Sequence, residues 1–437
     1  MLNLIYNAVI ATAERVFSGF IIFDSESGLI LHVGEGTPSE SPSESYIPMD
    51  AAGAFILPGV IDPHVHFRDG GAGSPKGDMR SESRAAVAGG VTTVFDMPNT
   101  TPPTVTIDAL RQKILAAGQK ALCDIRFFFG VTNNNLQELL KAQREFDIAG
   151  AKLFMGSSTG NMLVDDDSTI RRLFREYTGV IAVHAEDQHV INSNIAAMKR
   201  KYPEGDVPLA SHPEIRSAEA CFLSASKAVE LARETGARLH VCHLSTAREL
   251  ELFSSAPVQE KRITSETAPH YLLFSNKDYA TLGARIKCNP AIKTEADRKA
   301  LIAALKNGLI DVIATDHAPH LPADKEGDAL HAMSGMPGVQ FSLPLMMDLA
   351  EREDIPLTRL VALMSANAAT IFSLTDRGDL RPGMRADMVM VRHLSTPHVI
   401  TDADVVSLCG WTPYAGMTTS HEVVATWIAG KNIANES

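Results

Sequence analysis

The chain has 437 residues, room for one large domain and a smaller one, with 45% apolar and 21% charged residues. A formal charge of -12 disfavours nucleic acid or an anionic membrane as partner, and no run approaches the ~18 apolar residues of a membrane span. MLNLIYNAVI at the N-terminus carries no secretory pattern, and Cys123, Cys221, Cys242, Cys288 and Cys409 lack CxxC spacing, which fits a reducing cytoplasm rather than a disulfide framework or a Cys-ligated zinc.

The first 55 residues hold short β-like runs, LIYNAVI, FSGFIIFD and LILHVGE, with GTPSESPSES (36–45) as a polar, solvated loop. An apolar run, AFILPGVI (54–61), then leads into DPHVHFRDGG (62–71). From there the texture alternates. Strand candidates are VIDPHVHF (60–67), VTTVFDMP (91–98), DIRFFFGV (124–131), GAKLFMG (150–156), GVIAVHAE (179–186), RLHVCHL (238–244), RITSETAP (262–269) and DVIATDHA (311–318). Helical stretches such as IDALRQKILAAG, AEACFLSASKAVELARETG and EADRKALIAALKNG lie between them. Eight strands alternating with helices predict an α/β fold with a parallel sheet, and the number points to a TIM-like (β/α)8 barrel. A doubly wound open sheet is the competing architecture, but no GxGxxG or P-loop follows any strand. Past residue 380 the pattern turns β-like again, in ADMVMVR (386–392) and HEVVATWIAG (421–430). The two ends therefore predict one composite β-sandwich domain, 1–55 with 380–437, beside a catalytic barrel over 56–379.

Seven of the eight strand candidates carry a chemically useful polar group at or just past the C-terminal end: His64 and His66, Asn99, Lys152, His184, His243, His270 and Asp316. Barrel enzymes build their sites on that face. In a strand, residues i and i+2 share a face, so His64 and His66 both point into the barrel mouth. Converging neutral imidazoles suit a borderline divalent metal such as zinc. The bland alternative, a pair of hydrogen-bonded core histidines, weakens once His184 and His243 stand at later strand ends. Lys152 is the odd member, because an ammonium buried beside cations is repelled. A neutral amine there can add carbon dioxide and become a carbamate, an anion whose two oxygens can bridge two metals; the plain alternative is a solvated or salt-bridged lysine. Asp316 can bind a metal and move a proton, or simply cap the next turn. Of its neighbours His317 and His320, one suits the substrate and the other packing. Arg68, at the rim, can hold a carboxylate in a bidentate pair, and Asn99 can donate to the same anion.

Taken together, PGVIDPHVHFRD, DMPNTTPPT, GAKLFMGSSTG, VHAED, HVCHLST, ETAPHYL, IKCNPAIK, IATDHAPH and SGMPGVQFSLPLM resemble the amidohydrolase superfamily, and within it the dihydroorotases. The resemblance spans residues 58 to about 345, and GDLRPGMRADMVMV looks like the family's return to its small β domain. It implies His64, His66 and Asp316 on a first metal, a carboxylated Lys152 bridging two divalent ions (zinc the expected metal), and His184 and His243 on the second. It implies substrate contacts at Arg68, Asn99, Asn289 and His320, with backbone at Pro337 and Gly338. The implied reaction is the reversible cyclisation of N-carbamoyl-L-aspartate to L-dihydroorotate in pyrimidine biosynthesis, by attack of a metal-activated hydroxide on a cyclic amide, with Asp316 as proton carrier. A cytoplasmic, homodimeric enzyme with a small carboxylate substrate is the expectation. Two departures stand out. Arg68-Asp69-Gly70-Gly71 lacks the family's proline, which predicts a looser turn, and KCNPAIK changes the neighbours of Asn289. The rivals are a dihydropyrimidinase (hydantoinase) or allantoinase with the same metal site, and a non-catalytic barrel, which the complete ligand set disfavours.

Overall fold

The structure, a computed structural model, describes residues 1–38, 46–155 and 162–433; the polar loop expected at 36–45 and the end of the GAKLFMG motif lie largely or partly outside the described residues. Eight parallel strands form the central sheet among the described residues: β6 (Val60–Val65), β7 (Val91–Asp96), β8 (Asp124–Gly130), β9 (Gly150–Phe154), β10 (Val180–His184), β11 (Arg238–Val241), β12 (Ile263–Thr267) and β13 (Val312–Ile313). They pair in sequence order. Every residue of β6, β7, β9 and β10 is buried, the signature of a parallel sheet covered on both faces.

The ends of this sheet meet. Val65 and His317 form a parallel bridge, and the His66 N–H donates to the His317 carbonyl at 2.7 Å. Below them the Thr315 N–H and hydroxyl donate to the Asp62 carboxylate at 3.0 and 2.5 Å. That closure makes a barrel and excludes the open doubly wound sheet. The N-terminal end of the barrel is plugged by an apolar layer in which Phe372 stands edge-on to Phe95 and Phe128, at centroid separations of 4.7 and 6.0 Å. With that end filled, the opposite mouth is the one left for chemistry.

The chain termini build a second sheet from β1 (Leu2–Ala11), β2 (Val16–Asp24), β3 (Leu29–Glu35), β4 (Tyr46–Asp50), β5 (Phe55–Pro58), β14 (Met388–Val399), β15 (Thr418–Ile428) and β16 (Lys431–Asn432). Its hydrogen-bonded path runs β16-β15-β14-β5-β1-β2-β3, with β4 added on β1. Four strand spacings separate β15 from β2, about 19 Å in a flat sheet. Yet Trp427 and Phe23 meet at 6.3 Å, so the single sheet curls over its own core of Ile5, Ile21, Ile56, Met388 and their neighbours. The expected sandwich is thus one sheet folded upon itself.

Candidate active site

His64 and His66 leave the end of β6 with both Nε2 atoms turned to one acceptor, Asp316 Oδ1, at 3.2 and 3.1 Å. Each ring is oriented from behind. His64 Nδ1 bonds Glu266, and His66 Nδ1 lies 2.7 Å from Asn99 Oδ1. Those acceptors fix a proton on Nδ1 of each ring; the Nε2 lone pair of His66 then faces the cleft, as that of His64 does once its ring gives up the second proton. Opposite, His184 Nδ1 and His243 Nε2 stand 2.9 Å apart, while His184 Nε2 donates to Glu186 at 3.0 Å. Glu186 is in turn held by the Arg216 guanidinium. The rings of His64 and His243 approach to 5.3 Å, so the two pairs share one pocket.

Lys152 enters the same pocket from β9, in register with Ala182 on β10. It is fully buried, and its Nζ lies 3.1 Å from Cys242 Sγ and 5.3 Å from the Phe154 ring centroid. Among the described residues no carboxylate pairs with it, which is costly for a buried ammonium. All six expected ligands therefore line one cleft.

Can these groups hold a cation? One ligand atom each from His64, His66 and Asp316 lie within 4.8 Å of one another, and all three residues are buried. Burial lowers the pKa of His66 to about 3 and depresses His184 and His243 as well, so three of the imidazoles are neutral, as ligands must be. His64 goes the other way, up to about 10, because Glu266 and Asp316 outweigh the burial that opposes its charge. Asp316 and Glu266 stay ionised well below the usual carboxylate range; burial opposes this and the surrounding imidazoles, His64 foremost, overcome it. The charge on His64 answers these two buried carboxylates, and a divalent cation held among the imidazoles would do the same; the donor set fits such an ion.

The rim gathers some of the expected substrate contacts and not others. Arg68, Asn99 and Asn289 line the cleft, and the buried Asn289 Oδ1 has no hydrogen-bond partner. His320 sits behind Arg68, its Nε2 3.1 Å from Arg68 Nη2 and its Nδ1 3.2 Å from Lys76 Nζ. Burial, then Arg68 and Lys76, lower its pKa to about 2, so the imidazole is neutral inside a cationic rim. Pro337 and Gly338 do not line the cleft: they surround His317, whose Nδ1 accepts from the Gly338 N–H at 3.1 Å and whose Nε2 donates to Glu82 at 2.8 Å. Ser334 and Gly335, for which the sequence raised no expectation, line the cleft wall instead. His317 is thus the packed member of the pair. His270, though at a strand end, is buried beside Tyr271 with neither ring nitrogen bonded, and it does not line the cleft.

The turn after Arg68 is not loose. Asp69, fully buried, accepts from the Gly71 and Gly73 N–H groups, both at 2.7 Å, and lies 3.4 Å from Lys120 Nζ. A Cβ on Gly70 would come within 2.4 Å of the Thr101 carbonyl oxygen. Carboxylate bonding and close packing do here what a proline does through its ring. Arg68, His243 and Asp316 all have positive φ, at 65°, 42° and 48°, backbone strain of the kind that collects at functional sites. Sequence reasoning missed Glu266, Glu186 and Cys242. Glu266 was visible as an acidic residue inside an apolar strand, but its partners His64 and His240 come from other strands.

Residues 55–433 match the family model described as "Amidohydrolase family". The chain is 34% identical to a dihydroorotase of Methanosarcina acetivorans over 90% of this chain and 84% of that protein, and 37% identical to one of Halobacterium salinarum over 83% and 82%. It is also 34% identical to an allantoinase of Streptomyces avermitilis, over 88% and 85%. Among solved structures it resembles an L-hydantoinase (dihydropyrimidinase) from Arthrobacter aurescens, with a TM-score of 0.90 and 28% identity over 98% and 95% of the two chains.

Proposed function

The chain belongs to the amidohydrolase family, and from that premise we propose that it is a dihydroorotase, closing N-carbamoyl-L-aspartate to L-dihydroorotate and reopening it. The observation that carries the substrate assignment is the cationic rim. Arg68 opens into the cleft beside the His/Asp cluster, with Lys76 and His320 behind it. A guanidinium so placed suits a substrate carboxylate, which dihydroorotate carries and dihydrouracil lacks.

His64, His66 and Asp316 would hold one divalent ion and His184 and His243 a second, with a carboxylated Lys152 shared between them and zinc the expected metal. Bound there, such ions supply Lewis acidity toward the amide carbonyl and acidify the attacking water. The chain's own groups do the rest. Arg68, Asn99 and Asn289 fix the carboxylate and ring so that the scissile carbonyl faces the histidine cluster. Asp316 takes a proton from the attacking water and delivers it to the ring nitrogen as the amide bond breaks; cyclisation runs the same transfers in reverse. Glu266 and Glu186 hold the imidazole tautomers that keep the ligand lone pairs forward. The reading also includes the division into a terminal domain (1–55 with 380–437) and a barrel (56–379), a cytoplasmic location and a homodimer. No helix among the described residues is long and apolar enough to cross a membrane.

Allantoinase is the second reading, favoured by the identity to that Streptomyces protein. Assaying dihydroorotate, dihydrouracil and allantoin side by side decides between them, with turnover of dihydroorotate expected to dominate. Full turnover by protein shown to be free of divalent metal would end the mechanism. Carbon-13 bicarbonate should give a carbamate resonance in the wild type and none in Lys152→Ala.

A further inference from the structure

A second set of metal-ligating side chains lies far from the cleft, where the terminal sheet meets the barrel. His393 and His421 are direct partners across the antiparallel β14–β15 ladder, their ring centroids 5.1 Å apart. Direct partners on such a ladder project from the same face. Helix Ser342–Arg352 packs on β15, and its Asp348 and Glu351, three residues apart on one helical face, both reach His421. His421 is fully buried. Its Nδ1 bonds Asp348 at 2.8 Å, and Asp348 is itself fixed by the Ser420 N–H at 3.1 Å. Asp348 therefore places the ring proton on Nδ1 and leaves a lone pair on Nε2. That Nε2 lies 3.3 Å from Glu351 Oε1 yet makes no hydrogen bond. An unsatisfied buried nitrogen is destabilising, so its retention calls for a partner. One ligand atom each from Glu351, His393 and His421 lie within 4.8 Å of one another.

We propose that Glu351, His393 and His421 bind a divalent transition-metal ion of the zinc class, with Asp348 as the carboxylate behind the buried imidazole. Two imidazoles and one carboxylate suit zinc and its neighbours, whereas calcium and magnesium select oxygen ligands. The carboxylate–histidine relay is the usual way a ligand ring is oriented and made more basic. Glu351 and His393 are exposed, while His421 is buried and held by Asp348. A charged His421 clamped between two carboxylates is the competing account. It requires an N–H on Nε2 donating to Glu351, whose Oε1 stands 3.3 Å away without hydrogen-bond geometry among the described residues, and zinc content tells the two accounts apart. An ion here ties the barrel helix to β14 and β15 of the terminal sheet.

The test counts metal in the full-length protein. Wild type, His393→Ala and Glu351→Ala are stripped with a chelator, dialysed against zinc and analysed, with folding followed by circular dichroism. Both altered residues are exposed, so folded variants with unchanged turnover are expected. The wild type should hold one more equivalent of zinc per chain than either variant, and zinc should raise its Tm further. Cleft ions are common to all three proteins, so the difference is independent of what the cleft holds. Equal zinc content in the wild type and the folded variants overturns the proposal.

Discussion

Asp316 has two tasks in the proposed chemistry; its Oδ1 meets both paired imidazoles, and it lines the cleft. Asp316→Asn keeps the shape and removes the base. It is expected to lower kcat by about 10²–10⁴-fold, the usual contribution of a positioned proton carrier, as steady-state assay of both directions would reveal. Arg68→Lys keeps the charge and loses the fork. Loss of a charge-assisted bidentate bond of about 1.5–3 kcal/mol predicts a 10- to 100-fold fall in kcat/KM, mostly in KM, for dihydroorotate. An undiminished kcat/KM in that variant would remove Arg68 from the substrate. At this scale the sequence was most legible for residues whose chemistry has few other uses. Paired imidazoles at a strand end and a lone buried lysine stand out, whereas Ser334 and Gly335 do not, because any loop can carry a serine and a glycine.

Strands and their ends are held by buried polar pairs that no periodicity reveals. Asp96, at the end of β7, accepts from the Phe67 N–H at 2.8 Å and pairs with Lys113 Nζ at 2.6 Å, both side chains fully buried. The pair fixes the backbone between His66 and Arg68. Removing one partner strands the other charge, so Lys113→Met should cost about 3–5 kcal/mol in chemical denaturation, and Asp96→Leu on top of it should recover much of that. Additive losses in the double variant would refute the pairing argument. The alternation of the chain revealed all eight barrel strands in order, because a strand buried on both faces must be apolar throughout. Their lengths were less legible. The last was expected over 311–318; its regular ladder covers Val312–Ile313, since Thr315 turns to Asp62 and Asp316 takes up positive φ, and pairing resumes as an isolated bridge at His317.

For the whole molecule, buried titratable groups decide how stability follows pH. His212, buried with its Nε2 donating to the Cys288 carbonyl at 2.8 Å, has its pKa lowered to about 3, by burial and then by Lys287 and Arg216. Between that value and the unfolded-state value near 6.5, the unfolded chain binds the extra proton. The stability this neutral ring contributes is therefore present above about 6.5 and lost as pH falls. Glu249, pushed up to about 7 by burial, slopes the opposite way, so a difference is the better readout. Relative to His212→Gln, the wild type should lose about 1.4 kcal/mol per pH unit from about pH 6 downward, measured by urea denaturation. A gap that does not change with pH would show that His212 is charged in the native state.

The sequence by itself determined the barrel, the terminal β domain and the identity of the pocket's main side chains. Alternating burial and strand-end chemistry are local properties, and each motif carries its own. Only the tertiary structure decided which groups stand behind those side chains. Glu266 behind His64, Glu186 behind His184, and Asp69 tying the turn after Arg68 are contacts between segments or within a turn whose geometry no spacing encodes. The same holds for Pro337 and Gly338, which the family resemblance set beside the substrate and which in the structure surround His317, the Gly338 N–H donating to its Nδ1. Burial chooses the partner of a polar group, and burial is a property of the assembled fold.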